Sequence, residues 1–236
     1  MKQNKSFLIL GVTGGAGSGK TTVVEEIEKL VPTVFLHCDV IAHKLMEPGG
    51  ASYGALIEEF GEEILEDIDG NLPEESDKTA DISEKRAMRK ISRPKLAAVA
   101  MATEQSRMRL NELTHPLVQQ AVEAELERLE KEQFRGVAVI EAALLIEAGY
   151  KKICDSLWYV HAPLADRIRR MKEKRGYSDE KIAGILAGQL TEEEFLAEAD
   201  VVIQNGDRPK EEARQQISKQ ISKYLKECLE SSDEMC

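Results

Sequence analysis

The residues whose types and spacing could do chemistry begin with Gly14-Gly15-Ala16-Gly17-Ser18-Gly19-Lys20-Thr21. The run fits G-x-x-x-x-G-K-[ST], a P-loop that cradles phosphate. Glycines suit it because successive backbone N–H groups must converge on one anion without side chains in the way. Gly15 through Thr22, that is Gly15, Ala16, Gly17, Ser18, Gly19, Lys20, Thr21 and Thr22, are the positions expected around a nucleotide's phosphates. Lys20 would reach the β- and γ-phosphates of ATP, and the Thr21 hydroxyl would hold Mg²⁺. A glycine-rich loop matching by chance is the competing explanation, and the flanking sequence weighs against it.

Two acids could complete a phosphoryl-transfer site. Asp39 lies two residues past an apolar run, in His37-Cys38-Asp39-Val40-Ile41-Ala42. It could take a proton from an attacking hydroxyl, or serve as the N-cap of a helix beginning at Val40. Glu141 ends the run Val137–Glu141. It could hold Mg²⁺ or a metal-bound water, or merely cap the next turn. A basic stretch carries Arg167, Arg169, Arg170, Lys172, Lys174 and Arg175, followed by Gly176. Such a run is either a solvated face or, as favoured here, part of a lid whose cations offset charge on a transferring phosphoryl group. His115-Pro116 reads as structural, placed between two helices with Pro116 opening the second.

The elements that must position these residues follow from hydrophobic periodicity. Phe7–Val12, Thr33–His37, Val137–Glu141, Leu157–His161 and Val201–Gln204 read as strands, each followed by helical patterning. Such alternation predicts an α/β fold, a five-stranded parallel sheet covered by helices on both faces. Ligands then sit at the carboxyl ends of the strands. Between Asp39 and Val137 helical patterns dominate, over Ala55–Leu65, Lys95–Leu113 and Leu117–Leu129, with Pro94 opening a helix. Asn71–Lys90 is polar and charged and reads as an exposed excursion. The expected organisation is a single domain. Its core covers about 6–43, 135–162 and 197–228, with a helical insertion about 44–134, a lid about 163–196 and a frayed tail 229–236.

Bulk properties narrow the function class. The 236 residues carry 32 Lys+Arg against 43 Asp+Glu, a net charge of −11. That balance argues against duplex DNA or an anionic membrane as the main partner. It also leaves any anionic substrate to be held by local cations. Cys38, Cys154, Cys228 and Cys236 are scattered, which predicts reduced thiols rather than a disulfide framework. The short apolar run after Met1 passes directly into the P-loop, so it is not read as an export signal. A cytoplasmic protein is expected, as a monomer or weak homo-oligomer, with no nucleic-acid or membrane partner.

Taken together, several segments resemble the dephospho-coenzyme A kinase family. They are Thr13–Thr21; Asp39, Ile41 and Ala42; Glu47-Pro48-Gly49; Leu110, Asn111, His115, Pro116 and Val118; Leu144, Leu145 and Glu147; and Gln189, Ala199, Asp200, Ile203 and Asn205. The resemblance spans nearly the whole chain apart from Asn71–Lys90 and the tail. It implies a three-layer P-loop kinase fold with an acceptor-binding helical region and a lid. It also implies transfer of the γ-phosphoryl of ATP, with Mg²⁺, to the ribose 3′-hydroxyl of dephospho-CoA. On this resemblance Asp39 is the catalytic carboxylate, acting with Lys20. Lys174, Arg175 and Asn205 join the nucleotide-binding residues, and Thr21 and Glu141 are the metal-holding ones. The chain departs from the family pattern at His37, His43, Ala143 and Gly184-Ile185. Another nucleoside or nucleotide kinase, or a non-catalytic ATP-binding regulator, is the alternative.

Overall fold

The structure, a computed structural model, describes residues 6–66, 89–142, 145–206 and 210–233. It divides into two compact units. One comprises the residues up to His37 together with those from Leu126 onward, and the other is Cys38–Glu125.

The first unit is built on β1 (Phe7–Thr13), β2 (Thr33–His37), β3 (Gly136–Glu141), β4 (Ser156–His161) and β5 (Val201–Gln204). All pairings are parallel, in the order β2-β3-β1-β4-β5. Every residue of β1 is buried, which is why its sequence is an uninterrupted apolar run. From β1 the chain crosses to β2 on one side and later to β4 and β5 on the other. The sheet's order therefore reverses about β1, where ligands of open parallel sheets gather. Helix α1 (Lys20–Glu28) buries Val23, Val24 and Ile27. These residues share one core with Leu10, Val12, Val139, Trp158 and Val160, and with Ile217 and Ile221 of the C-terminal helix.

Two aspartates set the starts of the outer strands. Asp155 accepts from the Ile9 amide (2.9 Å) and its own N–H donates back to the Ile9 carbonyl (2.8 Å). Asp200 repeats the device on Leu157, at 2.7 and 2.9 Å. Each carboxylate satisfies a strand N–H that the neighbouring strand begins too late to pair. Asp200, part of the family-like Ala-Asp motif, therefore has a fold-level task.

In the second unit, α2 (Cys38–Leu45), α3 (Tyr53–Phe60) and α4 (Arg93–Ala100) are followed by α5 (Glu104–Lys131), whose first part belongs to it. Its core joins Tyr53, Leu56, Ile57, Phe60, Ile64, Leu65, Ile91, Leu96 and Ala100. Leu65 and Ile91 form an antiparallel bridge, and the Tyr53 hydroxyl donates to the Arg89 carbonyl at 2.5 Å.

All five expected strands are present, and Pro94 lies in the first turn of α4 as expected. The helical expectations need three corrections. His115-Pro116 does not separate two helices but lies inside α5, which runs for 28 residues. Pro116 forfeits one backbone hydrogen bond; buried Thr114 before it and buried Val118 and Val122 after it anchor the helix on both sides of it. The pattern Lys95–Leu113 is two helices, because the chain turns at 101–103, where the Thr103 hydroxyl accepts the Ser106 amide (3.0 Å). The expected helix Ala55–Leu65 stops at Phe60, because Gly61 takes φ 79°, and a 3₁₀ turn Glu62–Ile64 follows. Most of the charged excursion 71–90 lies outside the described residues. The C-terminal helix, Lys210–Asp233, extends past the point where the tail was expected to fray.

Candidate active site

The loop Gly14–Gly19 joins the carboxyl end of β1 to the first turn of α1. Its form depends on glycine where neighbours come close. At Gly17 (φ 79°) an added Cβ would lie 2.6 Å from the Arg167 carbonyl oxygen. Gly19 is the left-handed N-cap of α1, and a Cβ there would lie 2.2 Å from Asn205 Nδ2. No side chain could occupy either position without moving backbone or its partner. Lys20 folds back along the loop, its Nζ donating to the Gly14 carbonyl at 2.8 Å. Ser18 Oγ is buried and has no hydrogen-bond partner. Thr21 is exposed and Thr22 half-buried, both in the first turn of α1.

The loop's carbonyls are gathered by three side chains, two from one later helix and one from beyond β5. Arg170, on α6 (Leu164–Arg175), donates to the carbonyls of Gly17 (3.2 Å), Ser18 (3.3 Å) and Asn205 (2.9 Å). Asn205, just past β5, donates through Nδ2 to the carbonyls of Ser18 (2.8 Å) and Gly19 (3.4 Å). Arg167 Nε donates to the Ala16 carbonyl at 3.0 Å. With its carbonyls turned toward these donors, the loop can turn N–H groups the other way, toward an anion. Burial pulls the Arg167 guanidinium below its ordinary value, opposed by the charges of Tyr159 and Glu192.

Of the lid cations singled out in the sequence, Lys174 and Arg175 stand exposed in the last turn of α6. Arg175 lies 5.9 Å from the Tyr177 ring centroid. The cations on the loop are Arg167 and Arg170, nearer the start of the same helix. Helical spacing puts Arg167 and Arg170 on one face but, with Lys174 four residues further on, does not single them out. Gln189 was also missed as a contact of the loop. It follows α7 (Asp179–Ala187) and precedes α8 (Glu192–Glu198), whose capping box of Thr191 and Glu194 was legible in the sequence but unused.

Glu141 ends β3 in register with His37 of β2 and Val12 of β1. Its Oε2 lies 3.0 Å from His37 Nδ1. The pair therefore sits at the carboxyl edge of the sheet, on β3 beside β1 and on the edge strand β2 beyond it. Asp39 belongs to the other compact unit and is exposed. Helix α2 begins at Cys38, so Asp39 lies in its first turn instead of capping it; a carboxylate there is favoured by the helix dipole. The Thr21 hydroxyl and the Glu141 carboxylate are hard oxygen donors of the kind Mg²⁺ takes. Among the described residues no cluster of three His, Cys, Asp or Glu forms an all-protein metal cage.

Comparison with known proteins joins these features. A family model described as dephospho-CoA kinase matches residues 8–211. The dephospho-CoA kinase of Geobacter sulfurreducens is 33% identical over 203 residues, 86% of this chain and 92% of that protein. That of Dechloromonas aromatica is 33% identical over 241 residues, 98% of this chain and 100% of that protein. The crystal structure of TT1252 from Thermus thermophilus superposes with a TM-score of 0.73 at 25% identity, covering 94% of this chain and 99% of that one. With a P-loop on a five-stranded parallel sheet and this likeness along almost its whole length, the chain belongs to the dephospho-CoA kinase family and is a phosphotransferase.

Proposed function

We propose that this protein transfers the γ-phosphoryl group of ATP to the ribose 3′-hydroxyl of dephospho-CoA, giving coenzyme A and ADP. The observation that carries this reading is the family match over residues 8–211, together with a P-loop whose carbonyls are held by Arg167, Arg170 and Asn205. Backbone N–H groups of the loop Gly15–Thr22, apart from that of Ala16, which Gln189 holds, bind the phosphates together with the Lys20 ammonium. Asn205 supports the loop, and Lys174 and Arg175 reach the transferring group when the lid engages it. Asp39 accepts the proton of the 3′-hydroxyl as that oxygen attacks the γ-phosphorus and ADP leaves. Thr21 and Glu141 would hold Mg²⁺, which bridges and partly neutralises the phosphates when bound. The proposed setting is the cytoplasm; no helix among the described residues is long and apolar enough to cross a membrane.

The test is an ADP-release assay with ATP and Mg²⁺ over a panel of dephospho-CoA, adenosine, AMP and uridine. Turnover with dephospho-CoA well above the others is expected, with the phosphate found at the 3′ position of the product. Preferred turnover of AMP or a nucleoside would assign the chain a different acceptor.

A further inference from the structure

The backbone of Ala16 is held at both its N–H and its carbonyl, by two residues that come from opposite ends of the segment 163–196. Its carbonyl accepts from Arg167 Nε at 3.0 Å, and its N–H donates to Gln189 Oε1 at 3.2 Å. The two side chains are joined to each other, Arg167 Nη2 donating to the same Oε1 at 2.7 Å. The result is a closed ring of three hydrogen bonds around one residue of the P-loop, spanning the two peptides that flank Ala16 Cα. The guanidinium packs so tightly over the loop that a Cβ on Gly15 would fall 2.0 Å from Arg167 Nη2. Both side chains are half-buried. The carboxylate of Glu192, on α8, favours the Arg167 cation against the effect of burial.

We propose that Arg167 and Gln189 are positioning residues for ATP binding: the strap they form on the Ala16 backbone holds the loop in its phosphate-ready shape before nucleotide arrives. Neither is a catalytic residue. The loop is rich in glycine, and a free glycine-rich segment pays more backbone entropy on ordering than any other. A strap that has already fixed the Ala16 backbone removes part of that cost from the binding step. This role makes a definite kinetic statement. Loop ordering is required equally for bound ATP and for the transition state, so loss of the strap raises KM for ATP and leaves kcat nearly unchanged. Because Arg167 and Gln189 act through one ring, removing either should disable it, and removing both should do little more.

The proposal rests on reading the loop as the ATP phosphate site, and the experiment separates the two. Gln189→Leu keeps volume and loses the acceptor; Arg167→Met keeps the aliphatic stem and loses the donors. Each is expected to raise KM for ATP about tenfold, the scale of a lost hydrogen bond to a charged group. We expect kcat within about twofold, KM for the acceptor unchanged and Tm unchanged. The double variant should stay within about twofold of the worse single one. An unchanged KM for ATP, effects that multiply in the double variant, a dominant loss of kcat, or a fall in Tm paralleling the activity loss would each overturn the strap. Calorimetry of the unsubstituted protein with ATP tests the other reading. Absence of binding there sinks the P-loop as nucleotide site, whereas binding there with unaffected variants sinks only the strap.

Discussion

At the scale of single residues, the question is how two acids divide the work. Asp39 is exposed in the first turn of α2, and Glu141 is hydrogen-bonded to His37 at the edge of the sheet. The proposed roles are proton acceptor for Asp39 and metal-holding group for Glu141. A neutral amide keeps the shape of either side chain but cannot accept a proton as a carboxylate does. Asp39→Asn is therefore expected to slow the chemical step by about 10²–10⁴ while ATP binding changes little. Glu141→Gln should raise the Mg²⁺ concentration needed for half-maximal turnover, with activity recovering at high metal. Magnesium titrations of turnover, paired with ATP calorimetry, distinguish them. Rescue of Asp39→Asn by metal, with no rescue of Glu141→Gln, would reverse the assignment.

At the scale of elements, α6 divides along its length. Its early arginines, Arg167 and Arg170, are committed to loop carbonyls, whereas Lys174 and Arg175 stand exposed four to eight residues further on. Gly176, in the left-handed conformation (φ 61°), terminates the helix directly after them. Cations already bound to backbone carbonyls act on loop shape; exposed ones remain available to charge that develops on the transferring group. Lys174→Ala with Arg175→Ala should therefore lower kcat roughly tenfold, about 1.4 kcal/mol of transition-state stabilisation, with a smaller change in ATP affinity. An unaltered kcat would return these two residues to an ordinary solvated helix end. The contrast with the strap, where KM should carry the effect, tests the two ends of one helix against each other.

At the scale of the whole molecule, stability should depend on pH through His115. Burial lowers its pKa from the ordinary 6.5, so the folded state favours the neutral ring. The unfolded chain then binds more protons over the interval between the two values, and stability rises with pH across it. This contribution is present above about pH 6.5 and is lost as pH falls through the lowered folded value. His115→Gln, which cannot take a proton, should reduce the drop in Tm between pH 7.5 and pH 5. Melting curves of both proteins at the two pH values provide the check. An equal drop in both would show that carboxylates alone set the acid limit.

The alternation of apolar runs and amphipathic segments determined the sheet, and G-x-x-x-x-G-K-[ST] determined where phosphate chemistry could reside. Both are local: a strand's burial appears as a continuous apolar run, and a P-loop is made by consecutive peptides. The break at 101–103 and the continuity of α5 through Pro116 were not legible, because buried partners outweigh the local cost of one proline. The partners of the loop were settled only by tertiary structure. Arg167 meets Ala16 across 151 positions of sequence and Gln189 meets it across 173. Within the sequence, Arg167 was one cation in a run of six, and nothing in the spacing favoured it over Lys174 or Arg175. The direction in which α6 presents its faces decided that, and that direction is fixed by buried Met171 and the contacts with the loop, not by the spacing of its cations.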